Sequence, residues 1–224
     1  EGLVRAYQIM FKEDLCTDCG ACSAVCPVHI HRMDGRPGSL TGLSHIVDRH
    51  ISCIGCRACE DACLQKAISI AGEKKSIKDL LDTALEDRDF YRMSEGGVTL
   101  GGGEVSAQPE AAASLLNALK QENIHTAIET CGYMKPDTLK ILAGLVDLFL
   151  YDIKHIDSGQ HYRWTGVRND QILENLKWLL SHDKNVRIRM PLLKGVNADE
   201  RTLRRTMEFL LPYRSEEHTS ELQS

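Results

Sequence analysis

The apolar positions of the second half of the chain recur in two distinct spacings. Short runs of apolar residues predict four strands, at 98–100, 124–129, 146–152 and 186–190. Apolar residues three and four positions apart predict helices at 109–122, 136–143, 171–180 and 200–210, with an earlier one beginning after Ser76. Because strands and helices alternate, we expect right-handed crossovers and an α/β fold with a parallel sheet. The pattern leaves open whether this sheet closes into a barrel.

The first third of the chain is marked instead by two cysteine runs of the same spacing. The runs are Cys16, Cys19, Cys22 and Cys26, and then Cys53, Cys56, Cys59 and Cys63. A loop with a cysteine at every third residue can wrap a [4Fe–4S] cluster, and in two-cluster ferredoxins the fourth cysteine of each run ligates the other cluster. We therefore predict that Cys16, Cys19, Cys22 and Cys63 hold one cluster, and that the remaining four hold the second. Zinc ribbons require cysteines in separated pairs, and disulfides give no reason for two identical runs.

The stretch from 29 to 50 joins the two runs and is rich in Gly, Pro and His. It is typical of a loop between the halves of an internal repeat, in which Cys53 follows Cys16 by 37 positions. The repeat predicts a bacterial-ferredoxin-like insert at 16–70. We expect the histidines of the loop to be solvated, namely His29, His31, His45 and His50.

Composition and charge argue against two classes of partner. The 224 residues are 42% hydrophobic, enough for a core, and carry a net charge of −5 with interspersed signs. We therefore expect no nucleic acid as a partner, and no membrane, because no apolar run approaches the roughly 20 residues that span a bilayer. The start of the chain does not resemble a signal peptide, and cluster thiolates suit a reducing compartment, so we expect a cytoplasmic protein.

Charged and glycine residues fall at the carboxyl ends of the predicted strands, where ligands bind in both parallel architectures. The glycines at 101–103 allow close approach of a ligand, and Glu104 can hold a cation such as an ammonium group, although a glycine run is usually a turn. Asp152 and Lys154 lie on one side of a strand end. They could grip a zwitterion or form a surface ion pair.

Other polar residues near the strand ends have less specific interpretations. Glu129 and Thr130 close the second predicted strand. Arg187 and Arg189 alternate in the last strand and could equally pair with helix carboxylates. The lone Cys131 is expected to be a small buried apolar side chain, and no catalytic histidine is evident.

Four sequence runs and the two-cluster insert together give the chain a specific resemblance. The runs are GGVTLGGGE at 96–104, IETCGY at 128–133, YDIKH at 151–155 and TGVRN at 165–169. From residue 1 to about 213 the chain resembles the glycyl-radical-enzyme activating enzymes of the radical S-adenosylmethionine superfamily. Within it, GGGEV and IETCGY are most similar to members that activate choline trimethylamine-lyase. Gly101 and Val105 replace the family's common serine and proline, and the Gly-Gly-Glu unit stays intact.

The resemblance implies a partial (β/α)6 radical SAM barrel with an inserted two-cluster domain. It also implies a third [4Fe–4S] cluster on three cysteines spaced three then two, and no cysteines of this sequence have that spacing. We therefore expect a chain truncated at both ends that lacks the first and last barrel strands, and we assign no catalytic residue. The domains are then a remnant of the barrel start at 1–15, the insert at 16–70, the partial barrel at 71–213, and a tail at 214–224 whose sequence matches a translated sequencing adapter.

The resemblance further implies S-adenosylmethionine as a cofactor. Residues carried over for its binding are Gly102, Gly103, Glu104, Glu129, Thr130, Asp152, Ile153 and Lys154. The first three would receive its ammonium group, Asp152 and Lys154 would hold the sugar and carboxylate side, and Glu129 and Thr130 would lie near a bound cation or the methionine end.

The implied activity is reductive cleavage of S-adenosylmethionine to a 5′-deoxyadenosyl radical, which installs a glycyl radical on a partner enzyme. The implied reductant is flavodoxin or ferredoxin, and the chain as given would be inactive alone. One alternative is a stand-alone ferredoxin-like electron-transfer protein. It explains eight cysteines but not the charged residues at the strand ends. A second alternative is a radical SAM enzyme with another substrate.

Overall fold

The computed structural model describes residues 7–35 and 42–213, which form two compact units. We call the described residues of 7–76 the cysteine unit and those of 77–213 the sheet unit. No helix in the described part of the chain is both long and apolar enough to cross a bilayer.

The cysteine unit consists of two antiparallel strand pairs and two short helices. Its strands are β1 (Gln8–Phe11), β2 (His31–Gly35), β3 (Leu43–Val47) and β4 (Ile68–Ala71), and its helices are α1 (Ala21–Val25) and α2 (Ala58–Ala62). Strand β1 pairs with β4, and β2 pairs with β3. The pairing with β4 therefore places β1 in this unit, although the sequence assigned 1–15 to the start of a barrel.

The stretch 29–50 is not the simple loop that its composition predicted. It contains the antiparallel pair of β2 and β3, with His31 opposite Val47 and Met33 opposite His45. His31 is 2% exposed and His45 is 6% exposed, so the prediction that both are solvated is wrong. The physical reason is alternation along β2, where His31 points inward while Arg32 is exposed.

The sheet unit has the predicted parallel sheet, with strand order β5-β6-β7-β8. Its strands are β5 (Gly97–Leu100), β6 (His125–Thr130), β7 (Leu148–Asp152) and β8 (Val186–Arg189). The four predicted helices are present as α5 (Pro109–Gln121), α6 (Pro136–Ala143), α8 (Asp170–Ser181) and α9 (Glu200–Leu210). The helix predicted after Ser76 is α3 (Ile77–Leu85). The pattern missed α4 (Arg88–Ser94) and α7 (Ser158–Thr165).

The core of the sheet unit lies between the sheet and its helices. Leu116 of α5, Ile128 of β6, Tyr151 of β7 and Leu176 of α8 are fully buried in one apolar cluster. Burial of such side chains contributes about 1.5 to 3 kcal/mol each. Because this packing holds the four strands in place, the residues that follow their carboxyl ends have fixed relative positions.

A substitution at Gly132, in the turn after β6, tests this packing. A methyl group built on Gly132 would overlap the hydroxyl group of Tyr151, and Gly132 has a φ of +75°. We expect Gly132→Ala to lower the free energy of unfolding by at least about 2 kcal/mol. Gly144→Ala is the control, since its new methyl group would make only ordinary contacts, and we expect a change within about 1 kcal/mol. Both tryptophans lie in the sheet unit, so denaturant titration followed by fluorescence measures the difference. Equal midpoints would contradict the packing argument.

Candidate functional site

The two cysteine runs adopt the same local backbone. Helix α1 follows Gly20 and helix α2 follows Arg57, and both of these capping residues have left-handed conformations. The backbone N–H of Asp18 donates to the Cys16 sulfur at 3.4 Å, and the N–H of Gly55 donates to the Cys53 sulfur at 3.4 Å. Donors aimed at sulfur stabilise thiolate ligands. The repeat seen in the sequence is therefore also a structural repeat.

The two most buried thiols whose pKa values are raised each lie near other cysteines. The pKa of Cys59 is raised to about 11, mainly by burial and in smaller part by the neighbouring Cys26 and Cys53 thiols. Burial likewise raises the pKa of Cys22 to about 11, with a smaller contribution from Cys16. Cys26 of the first run therefore affects Cys59 of the second run, and the crossover of the fourth cysteines stays a prediction.

The residues present fit iron–sulfur clusters. All eight cysteines of the two runs are free thiols. Three of them, Cys22, Cys26 and Cys59, are buried, where a disulfide-free thiol has only weak hydrogen-bonding capacity. Backbone N–H groups already point at the sulfurs, including that of Ala67 toward Cys63 at 3.3 Å. The structure thus offers two sets of soft thiolate ligands in preformed loops, which is the donor set that such clusters require.

A buried histidine pair lies against the first cysteine run. His31 Nδ1 and His45 Nε2 are 2.9 Å apart, and His45 Nδ1 is 4.0 Å from the Cys16 sulfur. A ring nitrogen of each histidine lies within 4.8 Å of the Cys22 sulfur. Burial lowers the pKa of His31 to about 4, with a further contribution from His45. Sequence reasoning missed this pair, because only the pairing of β2 with β3 brings the two rings together.

In the sheet unit, Glu104 is held by donors from the next strand end. Its carboxylate accepts hydrogen bonds from Thr130 Oγ1 at 2.7 Å and from the Cys131 backbone N–H at 3.0 Å. Ser106 donates its backbone N–H and its hydroxyl to the same carboxylate. Burial raises the pKa of Glu104, but the hydrogen bonds from Thr130 and Cys131 outweigh burial and leave its pKa below the usual value. Glu104 is therefore a carboxylate whose oxygens already have partners within the protein.

Cys131 does not behave as the apolar side chain that was expected. Its thiol donates to Glu104 Oε2 at 3.0 Å, and it is only partly buried. Burial and the neighbouring Glu104 raise its pKa to about 11. The thiol is thus a neutral hydrogen-bond donor that helps to position Glu104.

Arg189 connects two of the predicted strand-end carboxylates. Its Nε donates to Asp152 Oδ1 at 2.8 Å, and its Nη1 donates to Glu129 Oε1 at 2.6 Å. Lys154 Nζ donates to Asp152 Oδ2 at 2.7 Å. Burial raises the pKa of Asp152, but hydrogen bonds from Lys154 and Arg189 outweigh this and hold its pKa below the usual value. Arg189 therefore pairs with strand ends and not with helix carboxylates, whereas Arg187 is exposed.

Buried asparagines fix the backbone of these strand ends. Asn175 of α8 donates to the carbonyl oxygens of Gly132 and Met134, both at 2.8 Å. Asn197 donates to the carbonyl oxygen of Lys154 at 2.8 Å. Both asparagines are 2% exposed. The positions of the charged groups are therefore determined by the packed core.

We define the strand-end site as the residues that meet at the carboxyl ends of β5–β8. They are Gly102, Gly103, Glu104, Glu129, Thr130, Asp152, Ile153, Lys154 and Arg189. A side chain built on Gly102 or Gly103 would meet no described atom within 4 Å, so their backbone is open to a ligand. Ile153 is 1% exposed and belongs to the apolar core of the sheet unit. Exposed carbonyl groups next to charges of both signs can bind a zwitterion.

Comparison with protein families connects both regions to known domains. The radical SAM superfamily matches residues 53–210, and a 4Fe–4S dicluster domain matches residues 15–68.

Individual proteins give the same connection. The chain is 54% identical over 213 residues to the choline trimethylamine-lyase activating enzyme of Oleidesulfovibrio alaskensis, covering 95% of this chain and 67% of that protein. It is 40% identical over 215 residues to the trans-4-hydroxy-L-proline dehydratase activating enzyme of Clostridioides difficile, covering 95% and 68%. SuiB of Streptococcus suis, solved with S-adenosylmethionine bound, shares 23% identity and a TM-score of 0.51 over 62% of this chain and 31% of that one, which shows the fold alone.

Proposed function

The chain belongs to the glycyl-radical-enzyme activating enzymes of the radical SAM superfamily, and on that premise we propose that its strand-end site binds S-adenosylmethionine and that its cysteine unit holds two [4Fe–4S] clusters. The observation that carries this proposal is the meeting of open glycine backbone with the ion-paired set of Glu129, Asp152, Lys154 and Arg189 at one sheet edge. S-adenosylmethionine carries an ammonium group, a carboxylate and a sulfonium, which call for complementary charges at close range.

The glycine run and Glu104 serve the ammonium group in different ways. Because the Glu104 carboxylate already accepts bonds from Thr130, Cys131 and Ser106, the backbone carbonyl groups of Gly102 and Gly103 are the acceptors left for an ammonium donor. Glu104 holds the loop in place and supplies a negative charge nearby. This division modifies the expectation that Glu104 itself takes the ammonium group.

The ion-paired residues serve the opposite end of the molecule. Lys154 is 40% exposed and keeps donor capacity for a carboxylate or ribose hydroxyl beyond its bond to Asp152. Arg189 partly neutralises both Asp152 and Glu129. A bound cation or zwitterion would therefore interact with carboxylates that already have a cationic partner.

The cofactors would carry the chemistry, and the protein would bind and orient them. Cys16, Cys19, Cys22 and Cys63 would hold one cluster, and Cys26, Cys53, Cys56 and Cys59 the other. When bound, the clusters would supply single electrons, and S-adenosylmethionine, on accepting one electron and releasing methionine, would supply a 5′-deoxyadenosyl radical that takes a hydrogen atom from a glycine of the partner enzyme. A third cluster, on cysteines that this sequence does not include, belongs to the full activity.

We also propose the finer assignments of partner, reductant, compartment and barrel. We assign a glycyl radical enzyme as partner, with choline trimethylamine-lyase as the first candidate, because the relative that bears this name is 54% identical. Flavodoxin or ferredoxin is the proposed reductant, and the cytoplasm is the proposed compartment. The four parallel strands would form part of a (β/α)6 barrel.

Replacing one lysine tests the strand-end site. We expect Lys154→Ala to weaken binding of S-adenosylmethionine at least tenfold, which corresponds to about 1.4 kcal/mol, because a charged contact to the ligand is lost. Lys177→Ala is a matched control, since Lys177 also makes a 2.7 Å ion pair and is 41% exposed, but its partner is Glu174 on α8. Equilibrium titration of the anaerobically reconstituted protein measures both affinities. Equal affinities for both variants, or no saturable binding by the parent, would refute the proposed site.

A further inference from the structure

The two halves of the cysteine unit are related position by position. The offset of 37 residues that relates Cys16 to Cys53 also relates α1 to α2, and it carries His31 of β2 onto Ile68 of β4. The strand pairing extends this match. Met33 pairs with His45, and Ile70, which is the equivalent of Met33, pairs with Ile9. His45 therefore corresponds to Ile9.

This correspondence reveals one chemical difference between the halves. The first half contains a pair of buried histidines, and the second half contains a pair of buried isoleucines at the equivalent positions, each 3% exposed. An isoleucine pair is the ordinary filling of a small core and costs nothing in hydrogen bonding. A histidine pair in the same place must have partners for its ring nitrogens, because an unsatisfied buried polar group destabilises the fold.

The histidine pair lacks one such partner. His31 Nδ1 is engaged with His45 Nε2, and among the described residues His31 Nε2 is a buried side-chain nitrogen with no hydrogen-bond partner. The side chain of Cys22 lies within reach, with its sulfur less than 4.8 Å from a ring nitrogen of each histidine. At the other end of the pair, His45 Nδ1 is 4.0 Å from the sulfur of Cys16.

The hydrogen bond between the two rings allows two tautomeric arrangements, and each leaves one ring N–H without an acceptor inside the pair. If His45 Nε2 donates to His31 Nδ1, then the neutral His31 ring carries its single proton on Nε2, the buried nitrogen that has no hydrogen-bond partner among the described residues. If His31 Nδ1 donates to His45 Nε2, then the neutral His45 ring carries its single proton on Nδ1, 4.0 Å from the sulfur of Cys16. In each case one ring N–H is left over, and the sulfur atoms of Cys16 and Cys22 lie close to the pair.

We propose that the His31–His45 pair donates a hydrogen bond to the cluster held by Cys16 and Cys22, and so gives the two clusters of the cysteine unit different reduction potentials. The inference rests on the proposed assignment of two clusters. Hydrogen bonds to cluster sulfur stabilise the more negative, reduced form and raise the potential. With isoleucines in the equivalent places, the second cluster lacks this donor. An electron shared between the two clusters would therefore reside mainly on the first.

The same three side chains could instead bind a single metal ion, since Cys22, His31 and His45 offer three ligand atoms within 4.8 Å of one another. That alternative would take Cys22 from the first cluster and leave it one thiolate short. The inner hydrogen bond of 2.9 Å also uses one ring nitrogen of each histidine. We therefore favour the hydrogen-bond role, and the experiment below separates the two.

The test replaces His31 by isoleucine, the residue type at the equivalent position of the second half. His31→Ile gives the first half the residue that the second half already carries, and His31→Gln keeps an N–H donor of similar size. A redox titration of the reconstituted protein, followed by EPR, should show two separate reduction steps in the parent. The earlier step should move to a lower potential in His31→Ile, return toward the parent position in His31→Gln, and leave the later step unchanged in both.

Iron content and pulsed EPR complete the design. About eight irons in the parent and in both variants are expected, together with a weak nitrogen coupling from isotopically labelled histidine that is lost in His31→Ile. A parent with fewer than eight irons would refute the two-cluster assignment itself. Full iron with unmoved potentials in His31→Ile would refute only the histidine role. A strong nitrogen coupling, or iron lost selectively from His31→Ile, would show direct metal ligation and overturn the proposal. If His31→Ile does not fold, His45→Ile replaces it with the same expected shift.

Discussion

Replacing Glu104 by alanine is expected to weaken S-adenosylmethionine binding at least tenfold and also to destabilise the sheet unit. The carboxylate accepts hydrogen bonds from Thr130, from Ser106 and from the backbone of Cys131, and its removal leaves these donors without their acceptor. An unsatisfied buried donor costs about 1 to 3 kcal/mol, so we expect a loss of about 2 to 3 kcal/mol in the free energy of unfolding. Affinity falls because the glycine loop loses its anchor and the site loses a negative charge.

Two further variants sharpen this prediction. Glu104→Gln keeps the shape and can still accept from Thr130, but its amide donors would face the Cys131 N–H and thiol, so intermediate losses are expected. Glu208→Ala removes an exposed glutamate of α9 and should change neither quantity. Calorimetric titration gives affinity, and tryptophan fluorescence in denaturant gives stability. If Glu104→Ala matched Glu208→Ala in both, Glu104 would have no role at the site.

Removing two cysteines should have effects that depend on which two are chosen. Cys26 and Cys59 come from different runs, but the crossover assigns them to the same cluster, as the effect of Cys26 on the Cys59 pKa supports. Cys26→Ala combined with Cys59→Ala should therefore abolish one cluster and leave the other complete, with about four irons and half of the reduced [4Fe–4S] EPR signal.

A second pair of substitutions is the discriminating control. Cys22→Ala combined with Cys59→Ala removes one ligand from each cluster, so no [4Fe–4S] cluster with four thiolates should remain. Cys131→Ala removes the ninth cysteine. This variant should keep about eight irons, because the Cys131 thiol donates a hydrogen bond to Glu104 and is not assigned to a cluster. Equal EPR signals from the two double variants would contradict the crossover.

Local periodicity was sufficient for the strands and for the helices of the sheet unit that bury an apolar stripe, and insufficient for the others. The helices α6 and α9 begin and end where the apolar spacing predicted, because each buries one stripe against the core. Helix α7, SGQHYRWT, buries only His161 and so leaves no apolar stripe to recognise. Parallel order also followed from alternation of strands and helices, since crossovers of this kind have one hand.

Residues that act through distant partners could not be predicted in the same way. Arg189 lies opposite Asp152 only because of the register between β7 and β8, and nothing local to either strand specifies that register. His31 and His45 meet only when β2 pairs with β3. Glu104 and Cys131 come together because β5 and β6 end side by side. In each case the partner is distant in sequence, so sequence reasoning could not identify the contact.

The most direct test of the central claim is the iron and inorganic sulfide content of this chain after anaerobic reconstitution. The eight cysteines of the two runs, in preformed loops with sulfur-directed N–H groups, predict about eight irons and about eight sulfides per chain, in two [4Fe–4S] clusters. About four irons would mean that one run does not hold a cluster, about twelve would mean that a third cluster binds residues outside the two runs, and zinc in place of iron would contradict the cluster assignment altogether.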